Sequence, residues 1–181
     1  MNLTTLPGTN ILLSEQDDCK KVLDGLFVAG GIVLSQMTAL VDIEGYTVQN
    51  WIKRRFVSPP ISKKYSKNQF CRLVTINLLK DSLSIPEITG LLRYINGELD
   101  DESDDIIGDA LLYEYFVKTL LLSPRRTAES YKDAAVEAIS SSPYAGTEHG
   151  ERIVLVLTVM CIAYSSTVLQ RTAKERIAEL L

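Results

Sequence analysis

The sequence predicts an all-α, mainly helical chain, made of a helix-turn-helix unit with a basic wing and a second helical region. Three observations carry this. Apolar residues recur at three- and four-residue spacing through nearly every segment. Capping residues stand where those periodic stretches begin, as in Ser84 with Glu87. Glycine and proline fall between the stretches, at Gly30-Gly31, Pro59-Pro60, Gly97, Pro124 and Pro143. With 181 residues, 46% of them hydrophobic, the chain is long enough to bury a core without disulfides or metal.

The elements follow in order. Ser14 with Asp17 reads as a helix start, and the stretch to Val28 places Val22, Leu23, Leu26 and Phe27 on one side. After Gly30-Gly31, the residues Leu34, Met37, Leu40 and Val41 form one face of a helix of about two turns. A turn over Asp42 to Tyr46 leads to Thr47, which can N-cap a second short helix with Val48, Trp51 and Ile52 inward. Pro59-Pro60 stops it and forces an extended stretch, followed by Lys63, Lys64 and Tyr65. Ser66 opens a longer helix carrying Phe70, Leu73, Val74, Leu78 and Leu79. Ser84 and Glu87 cap the next, whose buried face is Ile88, Leu91, Leu92 and Ile95, and Asn96-Gly97 ends it.

The second half, residues 98–181, opens on the acidic run Glu98 to Asp105 and continues as helices over about 106–122, 127–141 and 147–180. The expected division is therefore 14–97 for the helix-turn-helix part and 98–181 for a dimerisation or effector region. The last helix is apolar all round from Ile153 to Tyr164, which requires cover on every face. Beyond Tyr164 it trails into Ser165, Ser166, Thr167 and Gln170, so a core or dimer helix is expected and a membrane span is not. The first ten residues have neither a basic cluster nor an apolar stretch, so no signal peptide is read and a cytoplasmic location is expected.

Charge is segregated. The net charge is −4, yet Gly45 to Lys80 holds eight basic residues and no Asp or Glu, against 11 basic and 23 acidic elsewhere. A basic island in an acidic chain suggests a polyanion-binding surface or, equally, a solvated basic face. The local order decides between them: short helix, tight turn, short helix, proline-stopped basic loop is the order of a winged helix-turn-helix. Gln49, Asn50, Lys53 and Arg54 lie opposite the inward residues of the second helix. Asn and Gln pair bidentately with adenine, and Arg and Lys reach guanine or phosphate. Met37, Ile43, Val48, Trp51 and Phe56 are the apolar set expected to hold the two helices together.

Leu34, Met37, Ile43, the run Thr47 to Lys53, Pro59-Pro60, the stretch Lys63 to Ser66 and the capped Ser84 to Ile88 resemble the DNA-binding domain of the mercury-resistance-regulator (MerR-type) superfamily. The resemblance implies that the second helix enters the major groove and the wing contacts the backbone. It makes Gln49, Asn50 and Lys53 the groove contacts and Lys63, Lys64 and Tyr65 the wing contacts. Thr47, Arg54, Arg55 and Lys67 complete the candidate DNA-binding set. Two departures are visible: Asp42 and Arg55 stand where superfamily members usually carry glycine, and the long heptad helix used for antiparallel dimerisation is not evident.

Gly30 to Gln36, Gln49 to Arg54 and Tyr94 to Asp105 are also similar to an uncharacterised bacterial domain-of-unknown-function family that carries this helix-turn-helix. That similarity covers roughly Ala29 to Leu120. The combined expectation is a homodimeric, sequence-specific transcriptional regulator of double-stranded DNA, with room for an unknown small effector. The alternative is a protein-interaction module that keeps the fold without binding DNA.

Other chemistry finds little footing. The acidic run lacks the glycine and the D-x-D-x-D spacing of a calcium loop. Asp104 or Asp105 is instead expected to cap the next helix, or the run to lie against the basic surface and weaken nonspecific DNA binding. His149, the single histidine, has no partner for a zinc site. Cys71 and Cys161 read as packing residues and Cys19 as exposed on a charged helix. Arg125 and Arg126 read as a solvated loop. No nucleophile elbow, phosphate loop or dinucleotide fingerprint is present, so no enzyme activity, cofactor or metal is expected.

Overall fold

The computed structural model describes residues 4–13, 18–99, 101, 103–123, 125 and 127–180. Among these residues there are eight helices and no strand, only isolated bridges. The helices are α1 (Cys19–Leu26), α2 (Leu34–Val41), α3 (Gly45–Lys53), α4 (Lys67–Leu79), α5 (Ile85–Asn96), α6 (Asp109–Leu122), α7 (Ala128–Ile139) and α8 (Glu148–Leu180). The expected helical class holds. The start read at Ser14 and Asp17 lies outside the described residues, as do Asp100, Glu102, Pro124 and Arg126. α1 itself is capped by Asp18, whose carboxylate accepts from the Lys20 amide at 2.9 Å.

α4 organises the molecule. Ser66 and Gln69 close a capping box at its start, and nine of its thirteen residues are buried, including Phe70, Leu73, Val74 and Ile76. It packs against α2, α5, α6 and α8, so one hydrophobic core runs without a break from Leu6 to Ala163. The N-terminal segment joins that core from outside the helices. Leu6 is fully buried, the Asn10 amide donates to the Leu40 carbonyl at 2.8 Å, and the buried Tyr113 hydroxyl donates to the Pro7 carbonyl at 2.6 Å.

α5 is capped as expected, with Ser84 and Glu87 satisfying each other's backbone amides and Pro86 in the first turn. Gly97 follows at φ +54°, and the Asp104 carboxylate lies where a β-carbon on residue 97 would stand. Asp104 accepts from the Glu98 amide at 3.0 Å, so it closes the acidic loop on itself. This corrects the expected cap: Gly108 precedes α6, and the carboxylate at the positive end of that helix belongs to Asp109.

α6, α7 and α8 pack together as the second half. Between Glu148 and Ala178, α8 is long and apolar enough to cross a membrane by length and composition. Ile153, Val156, Leu157, Met160 and Cys161 are nonetheless fully buried against the neighbouring helices, which is the packing of a core helix. Cover on every face is not what the structure has. Leu155 is 53% exposed and Ile162 is 42% exposed, because α4 to α7 wrap one side of α8 and leave the other bare. From Leu169 to Leu180 every residue is exposed.

Candidate nucleic-acid interface

Two short helices meet at Asp42. This residue takes the left-handed conformation (φ +53°, ψ +54°) and ends α2, a geometry that Asp tolerates better than most side chains. Glu44 then occupies the N-cap of α3 without a side-chain bond, and Thr47 is the third residue of the helix, half-buried. The expected Thr47 cap is therefore displaced by one turn's start, to Glu44. Met37 and Val48 are fully buried, Ile43 and Trp51 nearly so, and Phe56 packs against them, so the apolar set read from the sequence does join the two helices.

The opposite side of α3 is open. Gln49, Asn50, Lys53 and Arg54 are exposed, and α3 itself carries no carboxylate. Arg55 follows at φ +59°, so the second position where the resemblance implies glycine is also left-handed. Tyr46 is exposed near the start of the same helix.

The proline-stopped loop folds into a two-residue hairpin. Ile61 and Lys64 exchange both backbone hydrogen bonds (3.1 and 2.9 Å), and Ser62 and Lys63 between them have φ of +49° and +62°. Two consecutive positive φ values mark a type I′ turn, whose twist suits a tight hairpin. Tyr65 then exchanges two more bonds with Ile32 (2.8 and 3.1 Å), tying the hairpin to the segment that enters α2. Gly31 permits this: at φ +123°, a β-carbon there would stand 2.9 Å from the Tyr65 carbonyl oxygen. Lys64 adds a bond from its ammonium to the Ala29 carbonyl at 3.1 Å.

The ten candidate residues divide on this geometry, with Thr47 half-buried inside α3. Gln49, Asn50, Lys53, Arg54, Arg55, Lys63 and Lys64 are exposed on α3 and the hairpin. Tyr65 is only 3% exposed, so its ring serves the core and its backbone the hairpin; burial also pushes its phenol up. Lys67 turns away. Its ammonium pairs with Asp24 at 2.7 Å and with the half-buried Glu114 at 3.4 Å, joining α4 to α1 and α6. Hydrogen bonds from Lys20 and Lys67 hold the Asp24 carboxyl down at about 2.

Counting charge along the sequence also overstated the basic surface at Arg72. That guanidinium is 7% exposed, donating to the Phe56 carbonyl at 2.8 Å and pairing with Asp109 at 3.2 Å. It fixes the chain just after α3 to the second half of the molecule. Gln69 has a comparable role that the sequence reading missed. Its amide nitrogen donates to the Ser58 hydroxyl and the Pro59 carbonyl (3.0 and 2.8 Å), clamping the loop before the hairpin. Ser66 followed three residues later by Gln69 was the available signal. Beside these, Glu98 and Leu99 of the acidic loop line one groove with Arg54, Arg55 and Arg93, and Glu98 pairs with Arg93 at 3.2 Å.

The remaining chemical residues are dispersed. His149 and Arg125 are exposed, and Cys71 and Cys161 are fully buried. Cys19 is half-buried instead of exposed, and burial, with Glu114 and Asp18 nearby, pushes its thiol up to about 12.

Residues 32–116, which run from the entry to α2 into α6, match the profile of a family described as Domain of unknown function (DUF1836). The chain is also 26% identical over 113 residues to "Uncharacterized protein YkrK" of Bacillus subtilis (strain 168). That similarity covers 60% of this chain and 48% of the relative, so the chain spans about half the length of the relative it matches. No solved structure matches. Both similarities point to an uncharacterised family, and neither name carries an activity.

Proposed function

We propose that the chain is a cytoplasmic, sequence-specific DNA-binding transcriptional regulator of the winged helix-turn-helix kind, acting as a homodimer. One observation carries the reading: α3 buries Val48 and Trp51 and leaves Gln49, Asn50, Lys53 and Arg54 exposed, and the hairpin that follows it in the chain exposes Lys63 and Lys64. α3 would lie in the major groove, where Gln49 and Asn50 suit adenine and Lys53 and Arg54 suit guanine or phosphate. The hairpin lysines would hold the adjacent backbone, and Arg55 would add to that electrostatic contact. The likeness of these segments to the MerR-type superfamily agrees with this division of labour. A single module of this size buries a modest surface, so specificity calls for two copies on paired half-sites.

The test is capture of fragmented host DNA by the purified chain at two salt concentrations, with Lys53→Glu alongside. Enrichment of fragments sharing a repeated half-site is expected, with affinity falling steeply as salt rises, by a log-log slope of about 0.9 per phosphate contact. Lys53→Glu should abolish enrichment while stability stays within about 0.5 kcal/mol, since this side chain is exposed. Binding without enrichment, lost at moderate salt, would reduce the face to a basic patch.

One feature favours a second reading. Ile61 at the hairpin and Tyr46 on α3 are 81% and 67% exposed, and apolar groups of that size suit a protein partner better than a phosphate backbone. On that reading the same face docks a protein and binds no DNA, so no host fragment is enriched and Ile61→Ser removes the protein contact.

A further inference from the structure

The bare side of α8 carries a regular stripe. Leu155, Val159, Ile162, Ser166, Leu169 and Ala173 follow one another at alternating steps of four and three, the spacing of a helix seam that meets another helix. Leu155, Ile162 and Leu169 are 53%, 42% and 70% exposed. At one end of the stripe, α7 and α8 enclose an apolar groove of about 660 Å³, whose lining includes Val136, Ile139, Val154, Leu155 and the carboxylate-bearing Glu151. At the other end, residues 169–180 continue as helix with every side chain exposed. A helical segment of twelve residues with no packing is marginal in water.

We infer that the groove between α7 and α8 receives the projecting end of α8 from a second copy of this chain, in an antiparallel, two-fold symmetric pair. α8 has 33 residues and is unbroken, so it spans about 50 Å and its own end cannot fold back to its own groove. A second copy laid antiparallel with the axis at Ile162 brings both ends to the right place. Leu169 then falls opposite Leu155, and residues 173–180 fall along residues 144–151, the part of the chain that lines the groove. The charges agree with this direction. Lys174 and Arg176 of one copy, the latter also holding Glu179 of its own helix at 2.8 Å, come beside Glu148 and Glu151 of the other. Because the contact is isologous, each copy gives one helix end and one groove, and this contact closes on itself without propagating a chain of molecules. The inference concerns this surface alone and stands whether or not α3 binds DNA.

The experiment is sedimentation of the full chain together with cysteine cross-linking. A mass of twice 20.1 kDa is expected at tens of micromolar, falling to 20.1 kDa in Leu169→Glu with helical signal retained in the body. Mild oxidation should join two copies of Ile162→Cys, since the axis brings these positions together. Leu155→Cys alone should not cross-link to itself, while Leu155→Cys combined with Leu169→Cys should. These two positions are about 21 Å apart within one helix, so that bond forms between copies only. A monomer at 100 μM, an undiminished dimer in Leu169→Glu, or self-cross-linking of Leu155→Cys would each overturn the inference. So would a monomer whose groove is filled by a small apolar probe. Specific DNA capture by that monomer would show that DNA binding survives without this contact, and its absence that the function proposed above fails as well.

Discussion

Replacing Arg72 by Met tests how the exposed face of α3 is held. The guanidinium is 8% exposed as a side chain and its partner Asp109 13%, so the pair at 3.2 Å is largely removed from water. Met fills similar space, and no cavity term enters. The loss comprises the bond to the Phe56 carbonyl at 2.8 Å and the cation beside Asp109. Removing one partner of a buried pair costs about 3–5 kcal/mol. Asp109 keeps a bond from Asn96 at 3.3 Å and the positive end of α6, so the low end, about 3 kcal/mol, is expected. In a chain of this length that lowers Tm by roughly 6–12 °C. Urea unfolding of the wild type, Arg72→Met, Asp109→Asn and the double variant would measure it. The double variant should cost at least about 1 kcal/mol less than the sum of the singles. A loss below 1 kcal/mol for Arg72→Met, or additive singles, would refute the idea that this pair fastens the two halves.

Other expectations rest on single positions. Lys63→Gly relieves a left-handed turn residue at φ +62° and should raise stability by up to about 1 kcal/mol in thermal melts, while reducing the salt slope of DNA binding by about one. An unchanged slope would remove Lys63 from the contact set. Gly31→Ala places a methyl 2.9 Å from the Tyr65 carbonyl at φ +123° and should cost about 1–3 kcal/mol in denaturant titration. The Cys19 thiol, pushed up to about 12, stays protonated at pH 8, so alkylation of the folded chain should be roughly a hundredfold or more slower than in urea, as followed by mass spectrometry.

Helices and their ends were legible because they are local. Ser66, Ser84 and Gly97 act within one turn of themselves, and the three-four spacing of Leu34, Met37 and Val41 selects a face without knowledge of its partner. The exposed side of α3 was legible for the same reason. Lys67, Arg72 and Tyr65 were not, because what withdraws them lies far away in sequence. Asp24 and Glu114 take Lys67, Asp109 and the Phe56 carbonyl take Arg72, and Ile32 takes the Tyr65 backbone. Charge counting treats every lysine and arginine as available, and only the folded neighbourhood says otherwise. The bare stripe on α8 was hidden by the opposite error: apolar composition on all sides was read as cover on all sides, although Leu155 and Ile162 face out.

The bond from Tyr113 to the Pro7 carbonyl spans 106 residues, and it has a consequence for synthesis. During translation at about 5–20 residues per second, the first segment waits on the order of 5–20 s before its partner is even made. α4 waits as well, since α6 and α8 cover it and are translated later. A nascent chain therefore displays Phe70, Leu73, Val74 and Ile76 to solvent for seconds, long enough for capture by a holdase or by a neighbouring ribosome's product. Codon choice between α4 and α6 would set the length of that exposure, and slow translation there would be paid for in aggregates.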